Sequence, residues 1–122
     1  MKRIILALML ALGVGTIAAE EISNIETTSS WVYLYNSKGK KYKTLHASSI
    51  GTIVGYSSSF FVSQSGSWIY LYDADGKRYK TLHKSSVGEI IGVAGDTFTS
   101  RSGSWIYTWD KNGKKISTRH AH

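Results

Sequence analysis

The chain has 122 residues and a formal net charge of +7, with no Cys and no Pro. Zero Cys excludes a disulfide scaffold, a Cys-ligated zinc site and thiol chemistry. A 42% hydrophobic share with 12% aromatics excludes intrinsic disorder, and the length allows one domain.

The first 19 residues read as a secretory signal peptide. Lys2 and Arg3 open the chain, Ile4 to Ile17 is uncharged and mostly apolar, and Ala18-Ala19 precede Glu20-Glu21. The apolar run is short of the roughly 20 residues that span a bilayer as a helix. Cleavage after Ala18 or Ala19 would leave one domain, residues 20–122, in the periplasm or outside the cell. No transmembrane helix is expected after cleavage. A chain that leaves the cytoplasm is not expected to meet nucleic acid.

The remainder is one unit written three times. Trp31, Trp68 and Trp105 are spaced by 37 and 37 residues. From these tryptophans the chain reads WVYLYNSKGKKYKTLH, WIYLYDADGKRYKTLH and WIYTWDKNGKKISTRH, and the first two match at 11 of 16 positions. A period of this length signals a repeat architecture. The units fall at about 20–48, 49–85 and 86–122, the first lacking its opening piece.

Each complete unit reads as four short strands. In the second they are Thr52–Tyr56, Phe60–Ser65, Trp68–Tyr72 and Arg78–His83; in the third, Glu89–Ala94, Thr97–Arg101, Trp105–Trp109 and Lys115–Arg119. β-Branched and aromatic residues dominate, and Gly, Ser, Asn and Asp punctuate. The turn between third and fourth strands, Asp-Ala-Asp-Gly-Lys or Asp-Lys-Asn-Gly-Lys, places Gly where a short hairpin needs the left-handed conformation. No helical apolar stripe appears after residue 20. In Trp68–Tyr72 both faces are apolar, so this strand is expected to be covered on both sides.

A strand, then Gly95-Asp96, then a strand ending near Gly103, then Trp105-Ile106-Tyr107 with Trp109-Asp110 and Gly113-Lys114, resembles a β-propeller blade. The resemblance is one of class, over about residues 22–120. It implies an all-β, propeller-like fold, with a β-trefoil and an up-and-down barrel as the alternatives. Three units do not close a propeller of four to eight blades, so a homodimer closing a six-blade ring is the expected assembly.

No catalytic constellation is present: no Gly-x-Ser-x-Gly, no His-Glu-x-x-His and no phosphate-binding glycine loop. The chain is not expected to be an enzyme, and no cofactor or metal is expected. His46, His83 and His120 share one place in the repeat and read as structural. Asp73 and Asp75 lack the later carboxylate of a calcium loop and read as a turn.

Trp31, Trp68, Trp105 and their tyrosine neighbours are expected in the core between sheets. Where they stay exposed, they are candidates for stacking on sugar faces, as in small lectins built from a few blades per chain. Gln64, Arg101 and Glu89, which differ between units, are the further candidate ligand contacts. Lys41, Lys43, Arg78, Lys80, Lys115 and Arg119 form a basic rim on the fourth strands. Such a rim either protects an edge from unwanted pairing or attracts an anionic glycan or envelope polymer. The expectation is a secreted or periplasmic non-catalytic binding module, multivalent for carbohydrate. The alternatives are a structural or assembly protein of the cell envelope, or an accessory or inhibitor subunit of another secreted protein.

Overall fold

A computed structural model describes residues 20–121, so the expected signal peptide lies outside the described residues. The chain forms three antiparallel sheets in sequence order. The first holds β1 (Asn24–Thr27), β2 (Trp31–Tyr35) and β3 (Lys41–His46). The second holds β4 (Thr52–Tyr56), β5 (Phe60–Ser65), β6 (Trp68–Asp73) and β7 (Arg78–His83). The third holds β8 (Glu89–Ala94), β9 (Thr97–Ser102), β10 (Trp105–Asp110) and β11 (Lys115–His120).

Every sheet is a meander with neighbouring strands adjacent. The register repeats as well: Trp31, Trp68 and Trp105 lie opposite His46, His83 and His120. No sheet closes on itself, which sets aside the up-and-down barrel. Among the described residues no helix is long and apolar enough to cross a membrane.

Two short helices were not foreseen: α1 (Ala47–Ile50) and α2 (Lys84–Val87) link consecutive sheets. Four residues carry no periodic stripe, so no pattern announces them. Each ends at a glycine, Gly51 or Gly88, with φ near 90°. Each drives one apolar residue, Ile50 or Val87, between two sheets. Lys84, just past the basic residues of the fourth strand, belongs to α2.

The turns follow the sequence closely. Asn36, Asp73 and Asp110 each accept two backbone N–H bonds through Oδ1, from the residues two and four positions on, at 2.9–3.1 Å. Gly39, Gly76 and Gly113 then take φ of 77°, 82° and 87°. The carboxylate of Asp73 is thereby engaged with its own turn.

The core lies in the two junctions between sheets. In the first, Val32 and Leu34 of β2 and Ile50 of α1 meet Phe61 and Tyr72 of the second sheet. In the second, Phe60, Val62, Ile69 and Leu71 meet Val87, Phe98 and Trp109. β5 and β6 therefore bury both faces, as the doubly apolar β6 sequence requires. Phe61 stacks on Tyr72 at 4.7 Å between centroids, and Phe98 on Trp109 at 5.8 Å.

Ser63 and Ser100, the two buried polar residues among those described, satisfy the short helices. Their hydroxyls donate to the carbonyls of Ile50 and Val87, both at 2.6 Å. Ser100 Oγ also accepts the indole N–H of Trp109 at 2.9 Å. Each buried polar group has a partner, as burial demands.

Bulges lock one sheet onto the next. Between β2 and β3 the register steps from Leu34–Lys43 to Tyr35–Lys41, which leaves Tyr42 as the extra residue. The same step leaves Tyr79 in β7 and Ile116 in β11. A bulge re-aims a side chain out of the pleat. Tyr42 Oη donates to the carbonyl of Ala74 at 2.6 Å, and Tyr79 Oη to the carbonyl of Lys111, each on the following sheet. Burial, with the Asp75 charge second, pushes the Tyr42 phenol up to about 12. Burial, with Asp73 and Asp110, does the same for Tyr79.

Candidate functional site

The tryptophans expected in the core stand at its margin. Trp31, Trp68 and Trp105 are 38%, 46% and 46% exposed. Each begins its strand, next to the Ser-Gly-Ser turn or its counterpart, beyond the region where the neighbouring sheet gives cover. The next aromatics along the same face are progressively more enclosed: Tyr70 is half-buried, and Tyr72 is buried.

Each sheet thus carries an aromatic ladder of one design. A histidine ring packs on each tryptophan: His46 on Trp31, His83 on Trp68 and His120 on Trp105, at centroid distances of 4.6, 4.9 and 4.9 Å. A cation from the fourth strand lies over the middle aromatic. Lys41 Nζ is 4.2 Å from the Tyr33 centroid, Arg78 Cζ 4.3 Å from Tyr70, and Lys115 Nζ 3.9 Å from Tyr107. This geometry is attractive because the ring face is electron-rich.

His83 has a further role, accepting the backbone N–H of Ser85 at Nδ1, 3.2 Å away, as the cap of α2. His46 makes no side-chain cap bond at α1.

The ladder of the second sheet opens into a groove at the first junction. The groove has a volume of about 380 Å³. Thr44, Leu45, His46 and Ser49 form one wall, and Tyr72, Gly76 and Arg78 the other. Hydroxyls, an imidazole and a guanidinium therefore sit beside an aromatic ring, and no carboxylate lines the space. Tyr72 Oη donates to the carbonyl of Ser49 at 3.3 Å. Burial raises the Tyr72 phenol above its ordinary value, and the nearby Arg78 charge opposes that shift. Arg78 makes no ion pair among the described residues, and its guanidinium lies over the Tyr70 ring and beside Tyr72.

A second space, of about 430 Å³, lies at the turn end of the sheets, lined by Glu20, Glu21, Ser58, Ser59, Asp73, Asp75 and Lys111 among others. Its polar groups are largely engaged in holding turns together. Ser59 Oγ donates to Asp96 Oδ1 at 2.9 Å, and Lys111 Nζ lies 3.7 Å from the same oxygen. Among the described residues no group of three or more His, Cys, Asp or Glu could hold a metal ion.

The sequence candidates separate into different places. Gln64 lies opposite Ile69, and Arg101 opposite Ile106, on the face of each sheet away from the tryptophan ladder. Arg101 donates from Nε to the carbonyl of Gly103 at 3.1 Å. Glu89 is an exposed residue of β8, registered opposite Arg101. These three do not join Trp31, Trp68 and Trp105.

The basic rim divides by face. Lys41, Arg78 and Lys115 cover aromatics. Lys43, Lys80 and Arg119 lie opposite Leu34, Leu71 and Ile106, on the other face. Lys80 runs along the turn of the third sheet, where a Cβ on Gly113 would lie 3.2 Å from Lys80 Cγ. Sequence reasoning passed over Tyr72, Ser49 and Thr44 as groove residues. Only the apposition of two sheets makes them neighbours, and no local pattern signals it.

Comparison with known proteins adds no assignment: no protein-family model matches the chain, and no curated protein is significantly similar to it.

Proposed function

We propose that this chain is a secreted or periplasmic, non-catalytic carbohydrate-binding module with a propeller-like arrangement of repeated sheets. The observation that carries this reading is the groove at the first junction. It places Tyr72, His46, Thr44, Ser49 and Arg78 around about 380 Å³, with the half-exposed Trp31 packed on His46 at its margin. Sugars present apolar ring faces and rows of hydroxyls, which aromatic faces and convergent polar groups meet.

Three sheets have two junctions, so the repeat offers at most two such positions rather than three. At the second junction the places equivalent by the 37-residue repeat are Thr81, Leu82, His83 and Ser86 on the second sheet and Trp109, Gly113 and Lys115 on the third. The pair suits a repeating glycan, since linked sites gain through effective concentration. Arg78 and Lys115 favour a polymer that carries negative charge. A propeller-like course with three sheets per chain is half of a six-bladed ring, and a homodimer is the assembly that fits it.

The test is a glycan array of neutral, sialylated, sulfated and bacterial envelope sugars, probed with residues 20–122 at low and high salt. The expected result is salt-resistant binding to a defined sugar. Arg78→Gln should then weaken it about tenfold, the scale of one hydrogen bond to a charged group. Binding lost entirely at high salt would reduce the function to surface charge. No binding at either salt would overturn the carbohydrate reading in favour of a protein partner or an envelope assembly.

A further inference from the structure

Each junction is formed by two dissimilar faces. The preceding sheet offers the face of Val32, Leu34 and Leu45, or of Ile69, Leu71 and Leu82. The following sheet offers its aromatic ladder. Two faces remain uncovered among the described residues, and they are one of each kind. The first sheet leaves its ladder of Trp31, Tyr33 and Tyr35 open. The third leaves the face of Ile106 and Thr108 open.

The bulges mark the third sheet as prepared for a neighbour. Val54, the extra residue between β4 and β5, packs into the second junction. Its counterpart Ile91 is 54% exposed. Tyr42 and Tyr79 bond to the following sheet, and their counterpart Ile116 is 53% exposed. Two isoleucines therefore stand in solvent at places where their equivalents engage the next sheet.

The charged replacements on the two open faces complement each other. Leu45 packs in the first junction and lines the same groove as Tyr72. Arg119 stands at the place of Leu45 in the third sheet, opposite Ile106 as Leu45 is opposite Val32. Tyr35 stands at the place of Tyr72 in the first sheet. Its hydroxyl donates to Glu26 Oε1 at 2.8 Å, and that bond raises the Tyr35 phenol above its ordinary value. Glu26 itself replaces Ser63, opposite Tyr33 as Ser63 is opposite Tyr70. If the open faces met as the internal ones do, Arg119 of one copy would reach the Tyr35–Glu26 pair of the other.

We infer that two copies of this chain dock head to tail, the outer face of the third sheet on the aromatic face of the first, with Arg119 paired to Glu26 of the second copy. This rests on the propeller-like reading of the fold. Docking would also assemble a further groove, with Thr118, Arg119 and His120 from one copy and Tyr35, Gly39 and Lys41 from the other.

The experiment is native mass spectrometry and light scattering of residues 20–122 over a dilution series. The variants are Arg119→Glu, Glu26→Arg, their combination, and Ile116→Glu. All three positions are exposed, and circular dichroism checks that each variant keeps its fold. A dimer is expected. Each single charge variant should weaken it at least about tenfold, and the combination should recover most of the loss, as paired charges do in a double-mutant cycle. Ile116→Glu should weaken it without recovery. A dimer indifferent to all four variants would overturn docking through these faces, and with it closure of a ring by two chains, while leaving the groove at the first junction untouched. A monomer throughout the series would overturn both, and the polar residues of the outer faces would then be the caps of a finished array.

Discussion

The second and third sheets are built on the same template, yet one is covered on both faces and the other on one. Residue identity at matching register positions follows that difference. Phe60, Val62 and Leu71 are buried in the second sheet; Thr97, Thr99 and Thr108 take their places on the open face of the third. Leu82 likewise gives way to Arg119. On the faces that stay covered, the residue or its aromatic character is kept: Phe61 and Phe98, Ser63 and Ser100, Tyr72 and Trp109. The backbone is set by the turns and the strand propensities, and the neighbour decides what each face carries.

Paired substitutions at matching places can sharpen or break this comparison. The largest contrast is expected between Phe60→Ala and Thr97→Ala. Emptying the fully buried Phe60 site should cost about 3–5 kcal/mol in urea unfolding. The same change at half-buried Thr97 should stay within about 0.5 kcal/mol. Equal losses would mean that the open face is not open.

Glycine provides the next contrast. A Cβ on Gly55 would lie 2.5 Å from Val93 Cγ2, where β4 meets β8, whereas Gly92 has nothing within 4 Å. Gly55→Ala should destabilise by about 1–3 kcal/mol through overpacking. Gly92→Ala should be neutral or slightly stabilising, because it only narrows the unfolded ensemble. Thermal melts of the two variants would read the difference directly.

Ser100→Ala removes the group shared by the Val87 carbonyl and the Trp109 indole. Two buried polar groups lose their partner, and a loss of about 1–3 kcal/mol is expected. Ser63→Ala should cost less, since Tyr72 keeps its bond to the Ser49 carbonyl when the Ser63 hydroxyl is removed. Indole fluorescence would report the first variant and stay nearly silent in the second.

The smallest effects belong to the bulges. Tyr42→Phe and Tyr79→Phe should each cost about 0.5–1.5 kcal/mol, the net worth of one hydrogen bond. Their pH signature is more specific. Both phenols are raised to about 12 in the folded chain, against 10.0 for the free group. The folded state thus holds protons that the unfolded state has lost, so stability is intact below pH 10 and falls as pH rises from 10 toward 12. Alkaline unfolding curves of the double Phe variant should be flatter over that window. An unchanged curve would mean that the two hydroxyls are not held in the junctions.

The groove has the same dual origin as the faces. Arg78 and its aromatic support on Tyr70 belong to one sheet, and the basic residue could be picked out from the repeat. His46, Ser49 and Thr44 enter only because the first sheet leans over the second. The tryptophans show the converse. Their size and spacing suggest core, but the cover supplied by the neighbouring sheet stops short of their end of the strand, and each tryptophan stays about two-fifths to one-half exposed.

The sequence by itself determined the 37-residue period, the strand order within each sheet and the chemistry of the turns. Those depend on contacts between residues close in the chain: alternation along a strand, an Asn or Asp closing its own turn, a glycine at positive φ. Only the tertiary structure decided which face of each sheet is covered, how far along the strands that cover extends, and where a bulged side chain lands. Alternation with a period of two gives the two faces of a strand equal standing, and a single extra residue reverses them beyond that point. Which face is buried depends on packing between sheets brought together from distant parts of the chain.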